Sequence, residues 1–297
     1  MNILIAGSSG FIGTALISFL KSQGHHIVKL VRTKRDLGRD ALFWDPSKGE
    51  IDVAAFDGID AVINLAGESI FSGRWTKEKK KHILDSRVEA TETLVSAMCK
   101  IKQAPKVFIQ TSAIGFYGNR GEQICDETTS AGEGFLSEVC QAWEKACEPA
   151  STAGIRTVIF RFGLVLGAEG GMLRTLLPLF KCGLGSRLGS GRQWMSWIAI
   201  DDLTGLFQWA LTHREFSGVV NAVSPECVSN ATFTYALCHV LHRPPFFLLP
   251  AWLLRFVFGR EKADALLLSS ARVRSCASYD FLYPGLQAAL RHILRRQ

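Results

Sequence analysis

Asn2-Ile3-Leu4-Ile5-Ala6-Gly7-Ser8-Ser9-Gly10-Phe11-Ile12-Gly13 decides how this chain is read. Ile3 to Ala6 is a continuous apolar run, the pattern of a strand covered on both faces. Three glycines follow at a spacing of three. The stretch from Thr14 to Gln23 has helical periodicity and stops at Gly24, a residue that tolerates a left-handed C-cap. A strand, a glycine turn and a helix in immediate succession are the context a phosphate-binding loop requires. Gly7 permits the tight turn, Gly10 lets backbone approach a diphosphate, and Gly13 lets the helix pack closely on the strand. Ser9, Phe11 and Ile12 contribute backbone N–H groups at the helix start, where the dipole favours an anion.

The same alternation continues outward. Ile27–Val31, Ala61–Leu65, Val107–Gln110 and Thr157–Phe160 read as strands, and 75–102 and 135–150 as helices. This predicts an α/β fold, a doubly wound parallel Rossmann sheet, with a smaller, mostly helical substrate domain at the C-terminus. The expected domains are 1–165, with return segments near 194–224, and an interleaved 166–297. The apolar stretch 244–258 is broken by Pro250 and Arg255 and is too short to span a bilayer, so it reads as a buried or subunit-interface helix rather than a membrane-surface one.

The end of the second strand selects the cofactor. A carboxylate there would accept from a ribose 2′-hydroxyl and repel a 2′-phosphate. This chain places Arg32 after Val31, followed by Lys34 and Arg35. An arginine can grip a phosphate bidentately, so NADP(H) is expected over NAD. The competing reading is Arg32 stacked on adenine, which would not discriminate. Leu65, Ala66 and Gly67, at the end of another strand, are small enough for backbone to pass under the adenosine ribose.

Taken together, Gly7-x-x-Gly10-x-x-Gly13, Asn64-Leu65-Ala66-Gly67 and Thr111-Ser112-Ala113 resemble the extended short-chain dehydrogenase/reductase superfamily. The segments Arg74-Trp75, Ser86-Arg87, Ser112-Ala113-Ile114-Gly115-Phe116-Tyr117-Gly118, Trp143-Glu144 and Gly189-Ser190-Gly191-Arg192-Gln193 narrow the resemblance. They point to an atypical subgroup of NAD(P)-dependent epimerase-like proteins. The resemblance implies an NADP(H)-dependent oxidoreductase or epimerase acting on a small hydroxyl- or carbonyl-bearing substrate, a nucleotide-sugar being one candidate. It places Ser112 at the family serine and Arg87 and Arg161 on the cofactor side.

The superfamily's Tyr-x-x-x-Lys pair is absent. Four residues after Tyr117, Tyr235, Tyr279 and Tyr283 stand Gly121, His239, Tyr283 and Gln287. If Glu144 takes its family position on the helix, the pair becomes Leu136 and Cys140. Tyr117 is then the substitute acid, its pKa lowered by Arg87 or Arg161, against the alternative of a packed aromatic. Asp126 and Glu127 are weaker candidates for a base. The missing pair supports an alternative function, a non-catalytic NADP(H)-binding sensor.

Composition sets the remaining bounds. The formal charge is +7, concentrated at Arg74 and Lys77–Lys81 and in a tail containing Arg272, Arg274, Arg291, Arg295 and Arg296. These clusters read as solvated helix faces, and without a recognised motif nucleic acid is not an expected partner. A small-molecule substrate and a homodimer are the candidate partners. The eight cysteines include no C-x-x-C and no zinc spacing, so no metal is expected, and scattered thiols fit a reducing cytoplasm. The opening apolar run is too short for a signal sequence.

Overall fold

The structure, a computed structural model, describes residues 1–245 and 247–295. It divides into two compact units. The first comprises Met1–Ser112, Val139–Phe160 and Thr204–Val219; the second comprises Ala113–Glu138, Arg161–Leu203 and residues 220 onward. The second therefore begins at Ala113 rather than near residue 166, and takes in 113–138, which were expected in the first.

An eight-stranded sheet is formed by β1 (Asn2–Ala6), β2 (His26–Val31), β3 (Ala41–Asp45), β4 (Glu50–Ile51), β5 (Ala61–Asn64), β6 (Val107–Ala113), β7 (Arg156–Phe162) and β8 (Gly218–Ala222). Their order across the sheet is β8-β7-β6-β5-β1-β2-β3-β4. β1 lies parallel to both β2 and β5, β5 is parallel to β6, and β2 is parallel to β3. β4 closes the edge antiparallel to β3. The chain order reverses beside β1, the place where open α/β sheets take their ligands. Ile3, Leu4 and Ile5 are fully buried, as the uninterrupted apolar run required.

The helices of the first unit begin with α1 (Phe11–Ser22), which starts three residues earlier than its periodicity suggested, so Gly13 lies within its first turn. α2 (Lys77–Lys100) is capped by the Thr76 hydroxyl, which accepts from Lys79 N–H. The expected helix 135–150 is two helices, α3 (Phe135–Lys145) and α4 (Glu148–Thr152). Pro149 explains the break: it has no N–H to continue a helix but fits a first turn. Leu94, Met98, Phe108 and Ala150 are among the side chains that fill the core on this side of the sheet.

The second unit mixes helices with short strands. Its core gathers Leu173, Trp197, Phe233 and Leu290. The stretch 244–258, expected as a buried or subunit-interface helix, is not buried within the chain. Among the described residues it gives a strand, Phe247–Leu249, and a helix, Ala251–Phe258, of which only Leu254 is buried; Phe246 lies outside the described residues. So does Arg296 of the basic tail. No helix among the described residues is long and apolar enough to cross a membrane.

Two glycines of the opening loop are sterically required. Gly7 has φ +78°, and a Cβ there would lie 2.6 Å from the Leu65 carbonyl carbon. A Cβ on Gly13 would lie 2.3 Å from the Gly7 carbonyl oxygen. Gly13→Ala gains helix propensity worth up to ~1 kcal/mol but forces backbone apart at a cost of about 1–3 kcal/mol. The clash should win, with a lowered denaturant midpoint; an unchanged midpoint would mean that the turn relaxes freely.

Candidate functional site

Within the first unit, the glycine loop and the ends of β2 and β5 converge. Gly10, the N-cap of α1, supplies no side-chain cap, and the first turn holds no acidic residue. Its first N–H groups are thus left to an external acceptor. Ser9 and Gly10 are exposed, Phe11 and Ile12 half-buried. Gly7 packs on the backbone of Leu65 and Ala66, so the loop after β5 is held directly against the glycine turn. Val31 ends β2, and Arg32 after it is exposed.

The loop after β5 is fixed by buried polar groups. Asn64 Nδ2 donates to Thr91 Oγ1 (3.1 Å) and Gln110 Oε1 (3.0 Å), while its Oδ1 accepts from Ala66 N–H (3.1 Å). Trp143 Nε1 donates to the same threonine hydroxyl at 3.1 Å. Arg87 is positioned from this framework. Its NH1 donates to the Glu68 and Ile83 carbonyls, and its guanidinium lies against Gly67 and over the Trp143 ring, 4.9 Å from the centroid. Burial pulls its pKa down.

Glu68 follows Gly67 and sits among cations. Lys79 Nζ donates to its Oε1 at 2.5 Å and to Ser72 Oγ at 2.9 Å. That bond first, with Arg32 and Arg87 adding more weakly, holds the Glu68 carboxyl below the usual range. Lys79 is therefore tied down, unlike the solvated helix face expected for its cluster.

Ser112 and Tyr117 are both buried. Gln110 and Ser112 share one face of β6, as strand alternation dictates. Both turn toward the helices: Gln110 to Thr91, and Ser112 to Glu144, whose Oε1 accepts its hydroxyl at 2.7 Å. Ser112 is 2 % exposed. Ala113, on the opposite face, is half-buried. Glu144 as the partner of Ser112 was missed by sequence reasoning; the Trp-Glu pair on an amphipathic helix was its one signal.

Tyr117 belongs to the second unit and is 0 % exposed. Its hydroxyl donates to Asn221 Oδ1 (2.8 Å) and accepts from Arg161 NH1 (3.0 Å). The Arg161 guanidinium, itself buried, stacks 3.4 Å from the Phe116 ring centroid. The expected lowering of the Tyr117 pKa by arginine does not prevail. Burial raises it, and Arg161 offsets only part of that. Asn221 in turn donates its backbone N–H to Glu127 Oε1 at 2.9 Å and its Nδ2 to the Arg274 carbonyl. Asn221 carried no sequence signal beyond its place in a strand.

Asp126 and Glu127 are structural ties. The Thr128 hydroxyl first, then Arg274, draw the Asp126 carboxyl down to about 2, too low for a base at neutral pH. Glu127 also accepts from the Cys276 N–H. Cys140 on α3 is buried, and all eight cysteines are free thiols. Among the described residues, no group of His, Cys, Asp and Glu is arranged to hold a metal ion.

Comparisons with known proteins follow the same lines. The model of the NAD dependent epimerase/dehydratase family matches residues 3–222, and a domain of unknown function matches 249–293. The chain is 40 % identical to an epimerase family protein of Mycobacterium bovis, Mb2239, over 99 % of this chain and 98 % of that one. The crystal structure of human epimerase family protein SDR39U1 with NADPH superposes with a TM-score of 0.91 at 34 % identity, covering 100 % of both chains. The nucleoside-diphosphate sugar epimerase from Corynebacterium glutamicum gives 0.81 at 35 % identity, covering 99 % of this chain and 58 % of that one.

Tyr117→Phe removes the donor to Asn221 and should cost about 1–3 kcal/mol of stability, the penalty for leaving a buried polar partner unmet. Any turnover should fall no further than the loss of folded protein explains. Selective loss of turnover in a fully folded variant would make the phenol a participant in the reaction.

Proposed function

The chain belongs to the NAD dependent epimerase/dehydratase family, and on that premise we propose that it binds NADP(H) at the glycine loop of its first unit. The observation that carries this is the uncapped, acid-free start of α1 with Arg32 exposed at the end of β2. Backbone N–H groups at Ser9, Phe11, Ile12 and Gly13 suit a diphosphate, while Gly10, whose N–H closes the turn onto the Gly7 carbonyl (3.2 Å), leaves room for the approach. Val31 and Arg32 suit the adenosine end, with Arg32 gripping the 2′-phosphate. Leu65, Ala66 and Gly67 suit the ribose, beside Arg87. The NADPH in the human relative's structure supports the same choice.

A bound nicotinamide would supply hydride exchange. The epimerase-like reading adds a small hydroxyl- or carbonyl-bearing substrate, and the name of the C. glutamicum relative favours a nucleotide-sugar. Such a reaction needs a side chain that gives or takes a proton at the substrate oxygen. Ser112 and Tyr117 are buried, and both hydroxyls are donated to protein acceptors. That observation favours the second reading, in which NADP(H) is held as a ligand by a sensing or regulatory protein, with Ser112, Tyr117 and Arg161 shaping the framework.

Calorimetric titration with NADPH and NADH tests the cofactor. NADPH should bind about ten- to hundredfold more tightly, the worth of a charge-assisted contact, and Arg32→Ala should erase the difference. Equal affinity for both would reduce Arg32 to adenine stacking. Binding of neither would remove the oxidoreductase and the sensor together.

A further inference from the structure

The second unit carries an apolar face that no described part of the chain covers. The helix Ala251–Phe258 exposes Trp252 (68 %) and Phe256 (80 %), one turn apart, with Val257 and Phe258 beside them. The strand Phe247–Leu249 leads into that helix, and its Phe247 and Leu248 are half exposed. It pairs parallel with Ser186–Leu188, setting Leu248 opposite Arg187.

The surrounding charge is predominantly positive. No Asp or Glu occurs between Glu169 and Asp201, a stretch holding Arg174, Lys181, Arg187 and Arg192. None occurs between Glu226 and Glu261, a stretch holding Arg243, Arg255 and Arg260. The two stretches are bound together by the strand pair and by Arg243 Nε, which donates to the Lys181 carbonyl at 2.7 Å. Glu261 and Asp264 of the next helix, Arg260–Leu266, bring carboxylates to this edge, and Asp264 is shared by Arg255 (2.8 Å) and Arg260 (3.9 Å). The Arg260 side chain remains 88 % exposed.

We propose that this face docks onto an anionic lipid surface. Aromatic and aliphatic side chains projecting from a short helix, flanked by more arginines than carboxylates, match the interfacial mode of membrane attachment. Trp252 and Phe256 enter the headgroup region while Arg187, Arg243 and Arg260 face lipid phosphates. Charge argues against a second copy on the same face, because like-charged edges would meet. The aliphatic members argue against nucleic acid, which needs stacked planes and phosphate contacts. The inference is independent of the cofactor reading, since it uses none of the glycine-loop residues.

The test is partition of the full chain onto vesicles of phosphatidylcholine alone and of phosphatidylcholine with phosphatidylglycerol. Binding should require the anionic lipid and weaken with salt. Trp252→Ser with Phe256→Ser should reduce partition about tenfold or more, as expected from the apolar area withdrawn. Arg260→Glu should reduce it about tenfold, from reversal of a cation at the surface. Circular dichroism confirms that these surface variants stay folded. Lipids brominated in the acyl chain should quench wild-type tryptophan fluorescence. Trp252→Phe should lose that quenching while still partitioning. Absence of partition, partition indifferent to the Trp252 and Phe256 substitutions, equal binding to duplex DNA, or a dimer that these substitutions dissolve would each overturn the proposal.

Discussion

Asn64 is the constraint on which the first unit depends. Its carboxamide is completely buried at the end of β5, where an unmet amide would cost a few kcal/mol. It meets that demand by bonding three ways: to α2 through Thr91, to β6 through Gln110, and to its own loop through Ala66. Thr91 passes the constraint on, accepting from Trp143 on α3 and donating to the Arg87 carbonyl at 2.8 Å. One side chain thus fixes the loop under the glycine turn and the helix that carries Arg87. An apolar replacement of similar shape would leave a threonine hydroxyl, a glutamine carboxamide and a backbone N–H to find new partners together.

The second unit solves a harder electrostatic problem. Arg161 is a buried guanidinium, and a buried charge needs both hydrogen bonds and polarisable contact. The Phe116 face and the Tyr117 hydroxyl supply both. The tyrosine is thereby spent on stabilising a cation, and its raised pKa records that burial dominates. A residue pair that looks like an activated phenol in sequence is, in the fold, a buried clamp on a guanidinium.

The sheet and the glycine loop were legible because they rest on local rules. An apolar run, glycines at fixed spacing and helical periodicity act within about twenty residues, and β1, α1, β2, β5 and β6 followed them. The split of α3 from α4 was legible in principle at Pro149. The candidate chemistry was not legible, because it depends on which face of β6 meets α3. Ser112 and Ala113 differ by one residue and by a whole side of the sheet, and no local pattern says which side carries the helix with Glu144. The helix at Ala251–Phe258, expected to be buried or at a subunit interface, is exposed within the single chain for a related reason. Apolar composition signals burial only when something is present to bury it.

Glu127 binds the N–H groups of both Asn221 and Cys276, and the strand Ile124–Cys125 pairs with Arg272–Val273. Ser270 closes further contacts to Asn119 and Gly121. Chain synthesis runs in the opposite sense to this architecture: segments near residue 120 emerge long before their partners near 270. During that interval the ladder edge at Cys125 lacks its native complement, whereas β1 already pairs with both β2 and β5. The second unit therefore closes only after its segments near residue 270 have been made.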